Sequence, residues 1–283
     1  MSNIESLLSR VKELPALPQI YTRVSTLLDD VNASANKIGE VVQTEPSIAS
    51  RILRMVNSAY YGLPYSVTSI PQTITLIGRE RLKDILIGTL LAGLFKNIEN
   101  KNFQMDAFWR HSIKTAIIAR HIAMQSAHVL DHEALFTAGL LHDIGRLVIA
   151  SQLQDELLQI ETLVEEAGLS IIEAETEILD FDHTDLSKAL LQKWRLPDLL
   201  VSAVKNHHET DHYGPYADTN CIVYLANHLS NGSPPADEEE LLPILDKITN
   251  WEQTKCPLDQ ILIAWHLAQD QAYDVMLSFG MTN

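Results

Sequence analysis

Ala134-Leu-Phe-Thr-Ala-Gly-Leu-Leu-His142-Asp143-Ile-Gly145-Arg146-Leu-Val-Ile149 is an apolar helix that runs into an adjacent histidine and aspartate. Leu135, Ala138 and Gly139 precede His142 by seven, four and three residues, and Phe136, Gly139 and Leu140 stand in the same relation to Asp143. At helical spacing both polar side chains emerge from the buried face. Gly145, two residues on, is placed to break the helix. Desolvating a carboxylate beside an imidazole is costly unless a partner compensates. A metal ion is the candidate partner, and it needs further ligands from elsewhere in the chain.

All eleven histidines lie beyond residue 103. His111 shares a helical face with Phe108, Thr115, Ile118 and Ile122, and His183 is followed at three and seven residues by Leu186 and Leu190. His207 follows Ala203 and Val204, and His208 follows Val204 by four. These four, with His142 and Asp143, point inward. His121, in the company of Arg110, Lys114 and Gln125, falls on a solvated face.

Neutral imidazoles with one carboxylate suit a borderline transition metal such as iron, manganese or zinc, not a hard ion held only by oxygens. Asp143 has two oxygens and can bridge two ions about 3.5–4 Å apart, a pair that lowers the pKa of a bound water and clamps a phosphate. A lone histidine on an apolar helix face is more often a hydrogen-bonded core residue than a ligand. It is the meeting of five histidines with Asp143 that points to one or two divalent ions. A helical protein with a polar core and no ion is the plain alternative.

With 46% hydrophobic residues over 283 positions, the chain can bury a large core as one long domain or two sub-domains. Its 37 acidic and 21 basic residues leave a formal charge of −16. That balance argues against nucleic acid as a partner but leaves room for a small basic pocket around one anionic ligand. Cys221 and Cys256 sit in no paired motif, which fits a reduced cytoplasmic protein without a disulfide or Cys–zinc framework. The first residues lack the basic-then-apolar order of a signal peptide. The most apolar run, residues 85–95, is about half the ~20 residues of a bilayer span, so no membrane association is expected.

Period-two alternation over strand length is rare, and the chain reads as all-α. A two-part helical bundle is expected, with an N-terminal helical sub-domain over residues 1–100 and a second over 101–283 that carries the histidines, joined by the polar stretch 96–104. Leu14-Pro-Ala-Leu-Pro18 is an entry turn before a helix through Val24, Leu27 and Leu28. Further helices are predicted from Ser34 toward Val42, from Pro46 to a turn at Asn57-Ser58-Ala59-Tyr60-Tyr61-Gly62, from Ser69 to Gly78, over 79–95, and over 258–276. Residues 232–240 read as a surface loop.

From His111 onward the sequence resembles the HD superfamily of metal-dependent phosphohydrolases. The likeness rests on His111, Leu-Leu-His142-Asp143-Ile-Gly, His183 ahead of Leu-Leu-Gln-Lys-Trp-Arg-Leu-Pro, and His207-His208-Glu209. The first half is similar to the HDOD family, the HD-related output domain of bacterial signalling proteins. There it rests on Leu14 to Pro18, Glu45-Pro46, Arg51-Ile-Leu-Arg-Met-Val-Asn57-Ser58-Ala59-Tyr60 and Ile77-Gly78. The resemblance implies an HD-like helical fold for the second half. It makes His111, His142 and Asp143 ligands of one metal and His183, His207 and His208 ligands of a second, with Asp143 shared. The closing ligand is usually an Asp where this chain has Asn227, a neutral and poorer ligand. The related phosphodiesterases continue His-Asp-Ile-Gly with Lys and carry Gly-Tyr-Pro after the His pair. Here Arg146 and Tyr213-Gly214-Pro215 stand instead, so cyclic di-GMP hydrolysis is not predicted.

Two functions follow from the likeness. One is a regulatory signalling module with a metal in its pocket and a signalling protein as partner, using a surface such as residues 57–65 between the halves. The other is a metal-dependent phosphohydrolase acting on a nucleotide or other phosphate ester, with Asp143 holding the metals and Arg146 steadying the phosphate.

Overall fold

Serine and proline set the helix starts. In the structure, a computed structural model that describes residues 11, 14–58, 60–95, 98, 100 and 103–281, the entry turn leads into α1 (Gln19–Asp29). The Ser34 hydroxyl accepts from Lys37 N to open α2 (Ala35–Val42). Pro46 occupies the first turn of α3 (Pro46–Val56), and Ser69 accepts from Gln72 N at the head of α4 (Ile70–Ile77). Gly78, at φ 85°, turns the chain directly into α5 (Arg79–Leu94). Asn57 fixes the turn after α3: its amide donates to Leu53 O and Val67 O and accepts from Val67 N.

The second half begins with the long α6 (Met105–Gln125) and then α7 (His132–Leu141), which Asp131 caps by accepting from Glu133 N and Ala134 N. Helices α8 (Ile144–Gln152), α9 (Gln154–Ala167), α10 (Ile171–Leu179), α11 (His183–Lys193), α12 (Asp198–Lys205) and α13 (Ala217–Ser230) follow. The chain closes with α14 (Glu238–Leu245), a 3-10 turn at Trp251–Thr254 and α15 (Leu258–Phe279). No strand occurs among the described residues. The all-α expectation therefore stands.

Helix α7 is the hub. It packs on α6, α12, α13 and α5 and is buried on nearly all sides. Gly139 allows this, because a Cβ there would stand 2.6 Å from Ala116 Cα of α6. The closing helix α15 lies along α6 and also reaches α3 and α5. One apolar core therefore runs through both halves.

Several sequence readings need correction. The helix breaks at Asp143 (φ −98°, ψ 10°), not at Gly145, which lies in the first turn of α8. Residues 232–240 are a loop only as far as Asp237, whose side chain accepts from Glu240 N to start α14. Three glutamates in that first turn face the positive end of the helix dipole. His121 is half-buried, not solvated, and its Nε2 lies 3.3 Å from Gln260 Oε1 of α15. His132–Gln152 is apolar enough by composition to cross a membrane, and 83% of its most apolar window is buried inside the protein. The N-terminal signal-peptide reading, Ala59 and most of the linker at 96–104 lie outside the described residues.

A strap joins the halves at the turn after α11. Lys193 Nζ donates to Leu14 O, and Trp194 Nε1 donates to Pro15 O at 2.8 Å.

Candidate metal centre

Helix ends place the candidate ligands. His111 comes from α6, His142 and Asp143 from the break between α7 and α8, and His183 from the first residue of α11. His207 and His208 follow the end of α12 at Asn206. All six converge. Asp143 Oδ1 lies 3.1 Å from His183 Nε2 and 3.3 Å from His207 Nε2; its Oδ2 lies 3.6 Å from His142 Nε2 and 3.8 Å from His111 Nε2. His208 Nε2 is 3.2 Å from His183 Nε2. The donors form two groups, Asp143 with His183, His207 and His208, and Asp143 with His111 and His142, each with its ligand atoms within 4.8 Å of one another.

The outer ring nitrogens of four of the five histidines have partners. His142 Nδ1 donates to Gly139 O at 2.7 Å and His207 Nδ1 to Val204 O at 2.7 Å. His183 Nδ1 donates to Glu175 Oε2 at 2.6 Å, and His111 Nδ1 to Ser230 Oγ at 2.9 Å. These partners fix the proton on Nδ1, which leaves Nε2 as the coordinating atom. His111 Nε2 and His142 Nε2 are 3.0 Å apart. Two lone pairs facing at that distance repel unless a cation lies between them. The donor set therefore fits a metal.

Burial keeps most of these rings neutral. It pulls His111 and His142 down to about 4 and His208 to about 2, and it also lowers His207. His183 differs. Burial lowers it too, but the carboxylates of Glu175 and Asp143 override burial and push it up to about 10. Burial would raise Asp143, yet the charges on His142 and His183 hold it well below the usual carboxylate range.

A ring whose pKa is depressed on folding binds fewer protons than in the unfolded chain, where it titrates near 6.5. Its contribution to stability is therefore lost as pH falls from about 6.5 toward the folded value. His183 acts in the opposite sense, losing its contribution only as pH rises from about 6.5 toward 10. Asp84, raised chiefly by burial, opposes the lowered rings with a single proton. Metal-free protein is thus expected to unfold at lower urea at pH 5 than at pH 7. A midpoint unchanged across that interval would contradict the burial of these rings.

Arg146, in the first turn of α8, sits at the rim with Nη1 3.3 Å from Asp143 Oδ2. Asn227 of α13 is buried, and its amide faces His111. The five histidines, Asp143, Arg146 and Asn227 are therefore gathered here.

The sequence reading missed the outer layer. Glu175 is buried and accepts from both His183 N, at 2.7 Å, and His183 Nδ1. Its spacing of four from Ile171 and from Leu179 marks an inward face and could have revealed it. Thr115, already on the inward face with His111, bonds Ser230 at 2.9 Å, and Ser230 carried no such signal. Gly145 has a role beyond the turn, because a Cβ there would meet His183 O at 2.1 Å.

Glu175→Gln keeps an acceptor but removes the charge behind His183. It is expected to weaken metal binding about 10- to 100-fold in competition with a chelator. Unchanged affinity would mean that Glu175 serves only the His183 backbone.

A helical bundle that gathers imidazoles around one carboxylate defines an HD-type fold. The chain belongs to the HDOD domain family, whose model matches residues 14–210. Its fold is similar to that of a Shewanella amazonensis SB2B protein provisionally called a phosphohydrolase (22% identity, 97% of this chain, 98% of that one, TM-score 0.82). It is also similar to an HDOD domain protein of unknown function from Geobacter sulfurreducens (23%, 99% and 97%, 0.77). A third likeness is to a Marinobacter aquaeolei VT8 protein provisionally called a signal transduction protein (18%, 99% and 65%, 0.74). The chain spans less than half the length of the curated relatives it matches, 46% of one and 28% of another.

Proposed function

We propose that this protein is a regulatory module of bacterial signalling whose pocket holds one or two divalent transition-metal ions. The observation that carries this reading is the orientation of four imidazoles, each anchored through Nδ1 and presenting Nε2 toward the buried Asp143. His183, His207, His208 and Asp143 would hold one ion, and His111, His142 and Asp143 a second, with Asn227 beside it. The neutral amide of Asn227 makes the second position the weaker. Iron, manganese and zinc all suit such a donor set. Bound there, the metal supplies Lewis acidity and an activated water. Residues 1–100 and 101–283 are read as two sub-domains of the module, and a signalling protein as its partner.

Arg146 favours a second reading, phosphohydrolysis of a nucleotide or other phosphate ester. Its guanidinium, partly exposed at the rim, is placed to pair with a phosphate bidentately while staying tied to Asp143. Metal analysis of the purified protein tests the first step. Absence of bound metal after supply with iron, manganese and zinc salts would overturn both readings. A screen of phosphate monoesters and cyclic nucleotides then separates them: metal without turnover supports the module, and turnover supports the enzyme.

A further inference from the structure

Where the halves meet, α1, α5, α7 and the turn between α11 and α12 enclose a cavity of about 700 Å³. That volume lies within the range of small-molecule sites. Tyr21, Ile87, Trp194 and Leu200 give it apolar and aromatic wall, and five acidic side chains line it against three basic ones.

Most of these charges are already partnered. Lys83 pairs with Asp29 and Glu80, and Glu133 is held by Arg81 at 2.6 Å and Arg120 at 3.0 Å. Asp131 caps α7. Lys193 donates to Leu14 O, and Arg195 is exposed to solvent. Asp84 is the buried exception. It lines the cavity at 8% exposure, and while Oδ1 accepts the Thr137 hydroxyl, Oδ2 has no hydrogen-bond partner among the described residues. Burial keeps this carboxyl protonated while the cavity is empty, so a cation that pairs with it releases one proton. A buried polar atom without a partner is costly to maintain. The nearby cations Arg81, Arg120 and Lys83 are committed to other carboxylates.

We propose that this cavity binds a small organic cation with an apolar body, its protonated amine or amidine donating to Asp84 Oδ2 while the body packs on Tyr21, Ile87 and Trp194. The chain's charge of −16 favours cations over anions. The rings of Tyr21 and Trp194 offer faces on which a cation is stabilised. Because both halves contribute wall, an occupant would bridge them. The site shares no residue with the metal centre, so either assignment can fail without the other.

Calorimetric titration of the full chain with benzamidine and 2-phenylethylamine tests this, with benzamide and 2-phenylethanol as neutral counterparts. At least one cation is expected to bind saturably at one site, ten-fold or more tighter than its neutral counterpart. Asp84→Asn should weaken that binding ten-fold or more while leaving metal content unchanged, with folding checked by circular dichroism. Ala134→Phe, which fills the cavity without altering Asp84, should do the same and covers the case in which Asp84→Asn fails to fold. No saturable binding of either cation overturns the proposal. So do equal binding of the neutral counterparts and full binding by folded Asp84→Asn or Ala134→Phe protein.

Discussion

Asp143→Ala protein is expected to leave purification without stoichiometric metal. Its affinity should fall by more than the roughly 10- to 100-fold that losing an outer-shell partner costs. Asp143 is the only residue common to both donor groups and the only carboxylate in either. Its removal takes away two oxygens and the one negative charge within the donor groups. His111→Ala, by contrast, touches one group and should spare the other. The Asp143 side chain makes no cap hydrogen bond to α8, so the variant loses no helix start and can be compared folded for folded. Elemental analysis of both variants beside the wild type decides the matter. Wild-type metal content in Asp143→Ala protein would place the ion elsewhere.

The second large effect concerns a residue with no side chain. Gly145→Ala would put a methyl 2.1 Å from His183 O and 2.9 Å from Ser187 N, both on α11. Backbone cannot swing aside as a flexible side chain can, so α8 must withdraw from α11. The 2.8 Å bond from Gly145 N to Ser187 Oγ would be stretched in the process. Overpacking in a core costs about 1–3 kcal/mol and more where relaxation is blocked, and the upper end is expected here. At roughly 2–4 °C per kcal/mol for a chain above 150 residues, the melting temperature should drop by about 6–12 °C. Asp143 and His183 would separate with the helices, so metal affinity should fall along with stability. Thermal melts with and without added metal check both effects. A melting temperature equal to wild type would show that α8 and α11 are not in contact at this point.

Much of this was legible because helical periodicity reports faces. Val24 and Leu28 and the inward set around His111 follow from spacing alone, and Ser34, Pro46 and Ser69 announce their helix starts. The candidate ligands His111, His142, Asp143, His183, His207 and His208 were legible because buried polar groups on apolar faces are conspicuous. What stayed hidden depends on contacts distant in sequence. His121 looked solvated because its own turn is polar, and only the return of α15 covers it. Gly145 looked like a breaker because its real constraint is His183 O, thirty-eight residues away. Ser230 gave no warning because a serine near a helix end has many ordinary reasons to be there.

Helix α11 has His183 at one end, and Lys193 with the Trp194 cap at the other. At 1.5 Å per residue, eleven residues make a stiff rod about 16 Å long. The backbone of Leu14 and Pro15 grips one tip, and an imidazole aimed at Asp143 forms the other. Any displacement of that grip is delivered as axial travel or tilt at the imidazole. The first half of the chain thus has a mechanical handle on where that imidazole stands beside Asp143.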